Sequence, residues 1–511
     1  MNKYLRNIII KSFGIGILAF YFVSCSEILD QNPTDVISGP TFWKDQKDAD
    51  LALSGVYSTL LSSTFNYRQV CWDILAGDAN GSSGSAAFFN QYASGNIEST
   101  SGNIIQSVFS ECYRTIYSCN FFLENIDRVN ITADKKNVYK GEVFFIRALA
   151  YFTLTDFYGG VPLYTKTITI SKAKVKQSTK AEVVAQVLAD LEIAIANLPN
   201  TAYNGHAVKG SALALKAKVL LHNNQWQGAA DAANQVIQDG KFSLSGNYKN
   251  IFLTLGQDNN KDILFSVRYL YPTVSSDQNS VLIRGYINPR VEFIDDFECI
   301  DGLPISTSPL YNPKNKKLNR DPRMLMTSRL LTDTVYNTSG NRVILSEITS
   351  NTGWVINKAV NVSVAAEILP NGTISQSKTP WSDDDWVLLR YSEVLLIYAE
   401  AKNEAGGPDV SVYNAINAIR ARPGVNMPPI PTGLSKDQMR TRIMHERRVE
   451  LGLEGKRYLD IRRWKTAETY IPTLKDPIGT PYKFDPGKHY LWPFPQSEID
   501  INPNLVQNPG Y

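Results

Sequence analysis

The chain has 511 residues, 43% of them hydrophobic and 20% charged, enough apolar material for one large folded core or two to three ordinary ones. Its formal net charge is +3, and Lys3, Arg6 and Lys11 at the start supply that excess, so without them the basic residues equal the 49 acidic ones. Nothing in this balance recommends a nucleic-acid partner.

In residues 1–24 those three cations precede an apolar run over 13–23 and the small residue Ser24, with no acid among them. This is the layout of a secretory signal peptide. The run is shorter than the roughly 20 residues that cross a bilayer, so a permanent transmembrane anchor is not expected. Phe22-Val23-Ser24-Cys25 has the form of a lipobox with Phe in place of the usual Leu. Cys25 is therefore expected to be lipidated and to hold the protein at a membrane surface through its acyl chains; the alternative is an ordinary buried thiol. Cys71, Cys112, Cys119 and Cys299 are too few for a disulfide framework. Cys112 and Cys119 share a helix face but stand about 10 Å apart along its axis, so buried free thiols are expected.

Beyond this start, Ala49, Leu53, Val56, Tyr57, Leu60 and Leu61 follow Phe42-Trp43-Lys44-Asp45 at three- and four-residue steps, one buried helical stripe. Between Gly77 and Gly102 the composition turns to Gly, Ser, Ala and Asn around Phe88, Phe89 and Tyr92, which predicts a long loop rather than a helix. Long ordered loops tend to carry function. Helices are expected over residues 104–129 and 141–158, the second stopped by Gly159-Gly160-Val161-Pro162-Leu163. Others follow over 181–198, 212–221 and 226–238. In the last pair Ala214, Ala217, Gly228, Ala229 and Ala232 supply the small contacts of a tetratricopeptide-like hairpin.

From 261 to about 386 the character shifts. Ile263-Leu264-Phe265-Ser266-Val267-Arg268-Tyr269 reads as a strand, and 343–345 and 354–356 are β-prone runs among Thr, Ser, Asn, Pro and Tyr. Residues 387–403, VLLRYSEVLLIYAEAKN, are expected to form a helix burying Val387, Leu388, Tyr391, Val394, Leu395, Tyr398 and Ala399. Gly406-Gly407-Pro408-Asp409 breaks it, and Val412, Ala415, Ile416 and Ile419 resume the spacing in a helix that folds back. Residues 442–464 are dense in charge and read as a partly buried helix laced by ion pairs three or four residues apart. The expected fold is mainly α, a tetratricopeptide-like α-solenoid of at least three or four hairpins decorated by long loops and short β-strands. Its divisions are a lipoprotein signal peptide (1–24), an N-terminal helical region (25–260) and a C-terminal region (261–511), the last two forming one compact unit.

Several phrases carry a family resemblance. They are Phe145-Ile146-Arg147-Ala148-Leu149-Ala150-Tyr151-Phe152, Phe297-Glu298 with Asp301-Gly302, Arg320-Asp321-Pro322-Arg323, and Arg390-Tyr391-Ser392-Glu393-Val394-Leu395-Leu396-Ile397-Tyr398-Ala399-Glu400-Ala401. His445-Glu446-Arg447-Arg448-Val449-Glu450-Leu451, Gly455-Lys456-Arg457-Tyr458-Leu459-Asp460-Ile461-Arg462-Arg463-Trp464 and the tail from Leu491-Trp492-Pro493-Phe494-Pro495 onward complete the set. Together they resemble the SusD/RagB family of outer-membrane nutrient-binding lipoproteins, over essentially the whole mature chain. The resemblance implies a lipid-anchored protein facing the cell exterior that captures oligosaccharide, or in a minority of members peptide. It further implies that the protein caps a SusC-like TonB-dependent transporter as a lid, and that it is not an enzyme.

The residues agree on the absence of familiar chemistry. His206, His222, His445 and His489 are not at metal-ligand spacing, and Val449 stands where a zincin helix needs its second histidine. Asp258-Asn259-Asn260-Lys261-Asp262 lacks the glycine and glutamate of a calcium loop. No nucleophile elbow, phosphate loop or dinucleotide fingerprint occurs, and no cofactor or metal is expected. Two carboxylates would suffice for a surface glycosidase, with Asp383, Asp384, Asp385 and Asp295, Asp296, Glu298 as the obvious clusters, although solvated acidic loops are the commoner explanation.

Sugar recognition needs aromatic faces for the C–H faces of pyranose rings and polar groups for the hydroxyls. Outside the periodic helices the aromatic candidates are Phe88, Phe89, Tyr92, Tyr271, Tyr286, Trp354 and Trp381, with Trp72 fitting core or platform equally.

Overall fold

The computed structural model describes residues 42–169, 172–283, 285–336, 342–343, 350–360, 382–476 and 479–511. The signal segment, Cys25 and Trp381 lie outside these residues.

Local signals set the helix ends. α1 (Gln46–Ser58) begins where the Asp45 carboxylate accepts from the Asp48 amide, and it buries Ala49, Leu53 and Val56. α2 (Gly84–Ala93) precedes the long hairpin of α3 (Asn103–Asn125) and α4 (Ala133–Tyr158), and Gly159, at φ 76°, ends the latter. A Thr179–Glu182 capping box opens α5 (Lys180–Asn197). Then come α6 (Lys209–His222) and α7 (Trp226–Asp239), where Ala214, Ala217, Ala229 and Ala232 are buried. The C-terminal half adds α8 (Tyr391–Gly406), α9 (Val410–Arg420), α10 (Lys436–Glu450), α11 (Arg457–Arg463) and α12 (Gln496–Ile501). Each of α3 to α7 packs on the next, α7 packs on α8, and α8 packs on α9 and α10. The architecture is thus mainly α, with stacked tetratricopeptide-like hairpins as the sequence predicts.

Short antiparallel pairs decorate this stack. β1 (Ala79–Gly81) pairs with β3 (Ile287–Pro289), and β2 (Ile263–Val267) with β8 (Trp386–Arg390). β4 (Ser328–Leu330) pairs with β7 (Trp354–Ile356), and β5 (Val335–Tyr336) with β6 (Arg342–Val343). The main core runs from Trp43 to Leu505, and a second cluster fills the space between α8, α9 and α10.

Five expectations are corrected. Residues 77–102 are not a plain loop: they hold β1 and α2, because Ala86, Phe89 and Ala93 form a buried helical stripe that the Gly and Ser content masked. Residues 387–390 are strand, buried throughout against β2, and the helix starts only at Tyr391. Helix α8 is buried on most sides because it lies between the two clusters, with Val394, Ile397 and Ala401 in one and Leu395, Leu396 and Ala399 in the other. Tyr391 and Tyr398 fall on its less buried face.

The ion pairs of the C-terminal block also differ from expectation: most join distant segments. Arg323 bonds Asp321 at 2.7 Å, Glu446 at 2.6 Å and Glu450 at 3.0 Å. Arg390 reaches Glu450 at 2.7 Å and Glu454 at 2.8 Å, while Arg422 reaches Asp262 at 3.3 Å and Glu450 at 3.0 Å. Arg420 bridges Glu298 at 2.8 Å and Glu446 at 2.9 Å, and Lys358 meets Glu454 at 2.7 Å. These pairs fasten residues 298, 321–323 and 358 of the loop-rich region to α8–α10. Finally, the acidic clusters are not solvated loops, since Glu298, Asp384 and Asp385 are buried.

Candidate functional site

The aromatic candidates separate by burial. Trp72 packs edge-on against Phe157 at 4.8 Å and is 4% exposed, and Trp354 lies within β7 at 3%. Phe89 and Tyr92 point inward from α2 and touch each other edge-on at 6.1 Å. None of these four offers an open face, because strand pairing or a helical stripe turns each into the core. Phe88 is 49% exposed, Tyr271 is 55% exposed and Tyr286 is half-buried.

Phe88 and Tyr286 are brought to one ledge. The register of β1 on β3 sets Ala79 opposite Pro289, Asn80 opposite Asn288 and Gly81 opposite Ile287. The Ser82 amide then donates to Tyr286 O at 2.9 Å, and the Ser82 hydroxyl donates to Gly285 O at 2.5 Å. Asn90 of α2 clasps Gly81 from both sides, its Nδ2 donating to Gly81 O at 2.6 Å and its Oδ1 accepting from Gly81 N at 3.0 Å. Only glycine fits there, since a Cβ on residue 81 would sit 2.0 Å from Ala86 O. The Tyr286 ring lies 3.8 Å from where a Gly84 Cβ would be. Phe88 is four residues along the same helix, so it shares the Gly84 face and leans back toward it. The ledge therefore presents two rings on a backbone fixed by part-buried hydrogen bonds.

Tyr271 belongs to a different place. It sits in the turn closed by the bridge between Leu270 and Val274, on the lip of a groove of about 520 Å³ lined by Tyr57, His206, Arg268 and Leu270 among others. Sequence reasoning missed this groove, which joins α1, the 205–206 turn and the end of β2. In it His206 Nδ1 lies 2.8 Å from Glu142 Oε2, and the Tyr57 hydroxyl donates to the same oxygen at 2.5 Å. The bond to Glu142 raises the imidazole pKa against the opposing effect of burial. Arg268 Nε stands 3.3 Å from Asp385 Oδ2, and burial pushes the Asp385 carboxyl up to about 6. A histidine in this groove signals nothing by sequence alone, because its carboxylate partner lies 64 residues away.

Asp384 and Glu298 of the acidic clusters are committed to structure. Asp384 Oδ1 accepts from the Thr254 amide and hydroxyl, both at 2.7 Å, and Oδ2 from the Ser382 hydroxyl at 2.5 Å. Glu298 is held by Arg420 at 2.8 Å and Arg442 at 2.6 Å. Among the described residues no group of three or more His, Cys, Asp or Glu could hold a metal ion, and no helix is long and apolar enough to cross a membrane. Cys71, Cys112, Cys119 and Cys299 are buried free thiols.

The arrangement can stack planar apolar faces and hydrogen-bond polar ones. Residues 272–511 match the SusD family, and residues 38–221 match a family described as "Starch-binding associating with outer membrane". SusD-like protein P2 of Formosa agariphila is 26% identical over 514 aligned residues, covering 97% of this chain and 98% of its own. A SusD-like carbohydrate-binding protein of Bacteroides fragilis has a crystal structure that superposes with a TM-score of 0.78 at 25% identity, over 91% of this chain and 100% of its own. A laminarin-binding SusD-like protein superposes with a TM-score of 0.70 at 25% identity, over 92% and 100%. With its stacked helical hairpins, its strand-borne loops and these matches along nearly its full length, the chain belongs to the SusD/RagB family.

Proposed function

We propose that this protein is a non-catalytic glycan-binding lipoprotein of the outer membrane that captures an oligosaccharide and delivers it to a SusC-like TonB-dependent transporter, which it caps. The observation that carries the reading is the ledge of Phe88 and Tyr286, two accessible rings on a rigid frame, in a chain that resembles carbohydrate-binding and laminarin-binding proteins. Ring faces of this kind take the C–H faces of pyranoses, and the neighbouring backbone and amides take hydroxyls. Arg268 and His206 in the groove provide donor groups, and the exposed Tyr271, next in the chain to Leu270 of its lining, provides a further ring. Binding without cleavage fits the engagement of Asp384 and Glu298 in internal bonds. In this reading Cys25 is the anchor, and the likeness to the SusD family supports the lid role.

The test is calorimetry of a chain starting at Ser26 against a panel of oligosaccharides, with glycan integrity followed by chromatography. Saturable binding with the glycan left intact is expected. Cleavage of the glycan, or failure to bind any oligosaccharide while a peptide library yields a ligand, would refute it.

A further inference from the structure

The helical flank carries a cavity of about 400 Å³ that shares no lining residue with the ledge or the groove. Its walls come from α3, from the segment after α4 and from α12 with the residues that follow it. Phe109, Tyr113, Tyr164 and Tyr117 give the aromatic surface, and Ile116 and Leu505 are buried apolar residues behind them.

The polar groups of Tyr113, Tyr164, Asn120 and Asn502 in this wall are already used. The Tyr113 hydroxyl donates to Pro162 O at 2.7 Å and the Tyr164 hydroxyl to Ala173 O at 2.8 Å. Asn120 Nδ2 donates to Tyr164 O at 2.9 Å while its Oδ1 accepts from Arg147 at 2.7 Å. Asn502 Nδ2 donates to Val175 O at 2.6 Å, and its Oδ1 accepts from the Asn504 amide at 3.1 Å. What remains is ring and aliphatic surface together with the charged groups of Glu498, Lys166 and Lys174.

Glu498 is the one acid among the lining residues. Its carboxylate lines the cavity, is half-buried, and makes no hydrogen bond or ion pair among the described residues. Lys166 and Lys174 also line the cavity, but both are exposed and neither comes within ion-pair distance of Glu498. Desolvation by burial raises the Glu498 carboxyl above its usual value.

We propose that this cavity binds a small organic cation, an ammonium group on an apolar body, with the charge at Glu498 and the body against the aromatic wall. A negative charge in an apolar enclosure is matched by a cation and repels an anion. The ring faces add to the preference, since their quadrupoles attract cations most strongly where water is displaced. The volume lies in the range of small-molecule pockets. Lys166 and Lys174 are solvent-exposed, so their charges act through high-dielectric water and oppose the ligand only weakly.

Phenethylammonium, 2-phenylethanol and phenylacetate have nearly the same shape and differ in charge, so titrating each into the full mature chain by calorimetry isolates the claim. The ammonium should bind about tenfold more tightly than the alcohol, and the acid not at all. Glu498→Gln should erase the advantage of the ammonium over the alcohol, and Tyr117→Ala should weaken the binding of both. Thermal unfolding of each variant reports whether the fold is kept, and a second acid-removing variant, Glu498→Ala, guards against loss through misfolding. Equal binding of ammonium and alcohol, no binding of either, or an unchanged preference in Glu498→Gln would each overturn the proposal. Oligosaccharide binding at the ledge should be the same with and without phenethylammonium.

Discussion

Replacing Glu450 by Gln tests the ion lattice at its most connected point. Glu450 is 0% exposed, and its carboxylate meets Arg323 at 3.0 Å, Arg390 at 2.7 Å and Arg422 at 3.0 Å. The amide keeps the shape but removes the charge and turns one acceptor into a donor facing guanidinium groups. Each arginine keeps another acid, Asp321 and Glu446 for Arg323, Glu454 for Arg390 and Asp262 for Arg422. The loss is therefore set at that of one broken buried pair, about 3–5 kcal/mol, rather than three. Against a total stability of about 5–15 kcal/mol this is a large fraction. Urea unfolding followed by circular dichroism should show a lower midpoint with an unchanged slope.

The same variant carries a pH signature. Burial by itself would raise the Glu450 carboxyl, yet Arg422, Arg390 and Arg323 hold it well below the usual carboxylate range. Its folded value is depressed, so its contribution is present in full above the unfolded value of about 4.3 and is lost as pH falls through the folded value. The difference between wild type and Glu450→Gln should be constant above about pH 5 and shrink in acid. A loss under about 1 kcal/mol at neutral pH, or a difference that widens in acid, would sink the account of the lattice.

Phe88→Ala and Tyr286→Ala should each lower oligosaccharide affinity by about tenfold with little change in unfolding temperature, as calorimetry and thermal melts would read; wild-type affinity in both would move the platform elsewhere. Trp72→Ala and Trp354→Ala should do the reverse, costing about 3–5 kcal/mol of stability through cavities while the folded fraction binds glycan normally. Gly81→Ala forces a Cβ to within 2.0 Å of Ala86 O, so it should cost about 1–3 kcal/mol and weaken glycan binding by shifting the helix that carries Phe88. Cys25→Ala should release the protein from the membrane fraction, and continued tight association on fractionation would refute lipidation there.

Helical periodicity is a local property, and it was legible where the neighbours are local too. The spacing of Val412, Ala415, Ile416 and Ile419, the Gly407 stop and the small residues of α6 and α7 all stand as the sequence foretells. So do the family phrases, because Arg147, Arg390 and Glu446 sit in structure that the fold itself requires, Arg147 on Asp190 and the other two within the lattice. Burial of single aromatic rings was not legible. Trp354 and Phe88 both read as loop aromatics, and only the pairing of β7 with β4 and the facing of α2 send one inward and the other outward. Glu298 and Asp384 likewise look like solvated acids until a distant arginine, Arg420, and a distant threonine, Thr254, reach them. The amino-acid order determined which segments coil and which family they compose, since those depend on contacts within a few residues. Tertiary structure alone decided which charges are paired, which rings are open and where the cavities lie, because each depends on groups brought together from tens to hundreds of residues apart.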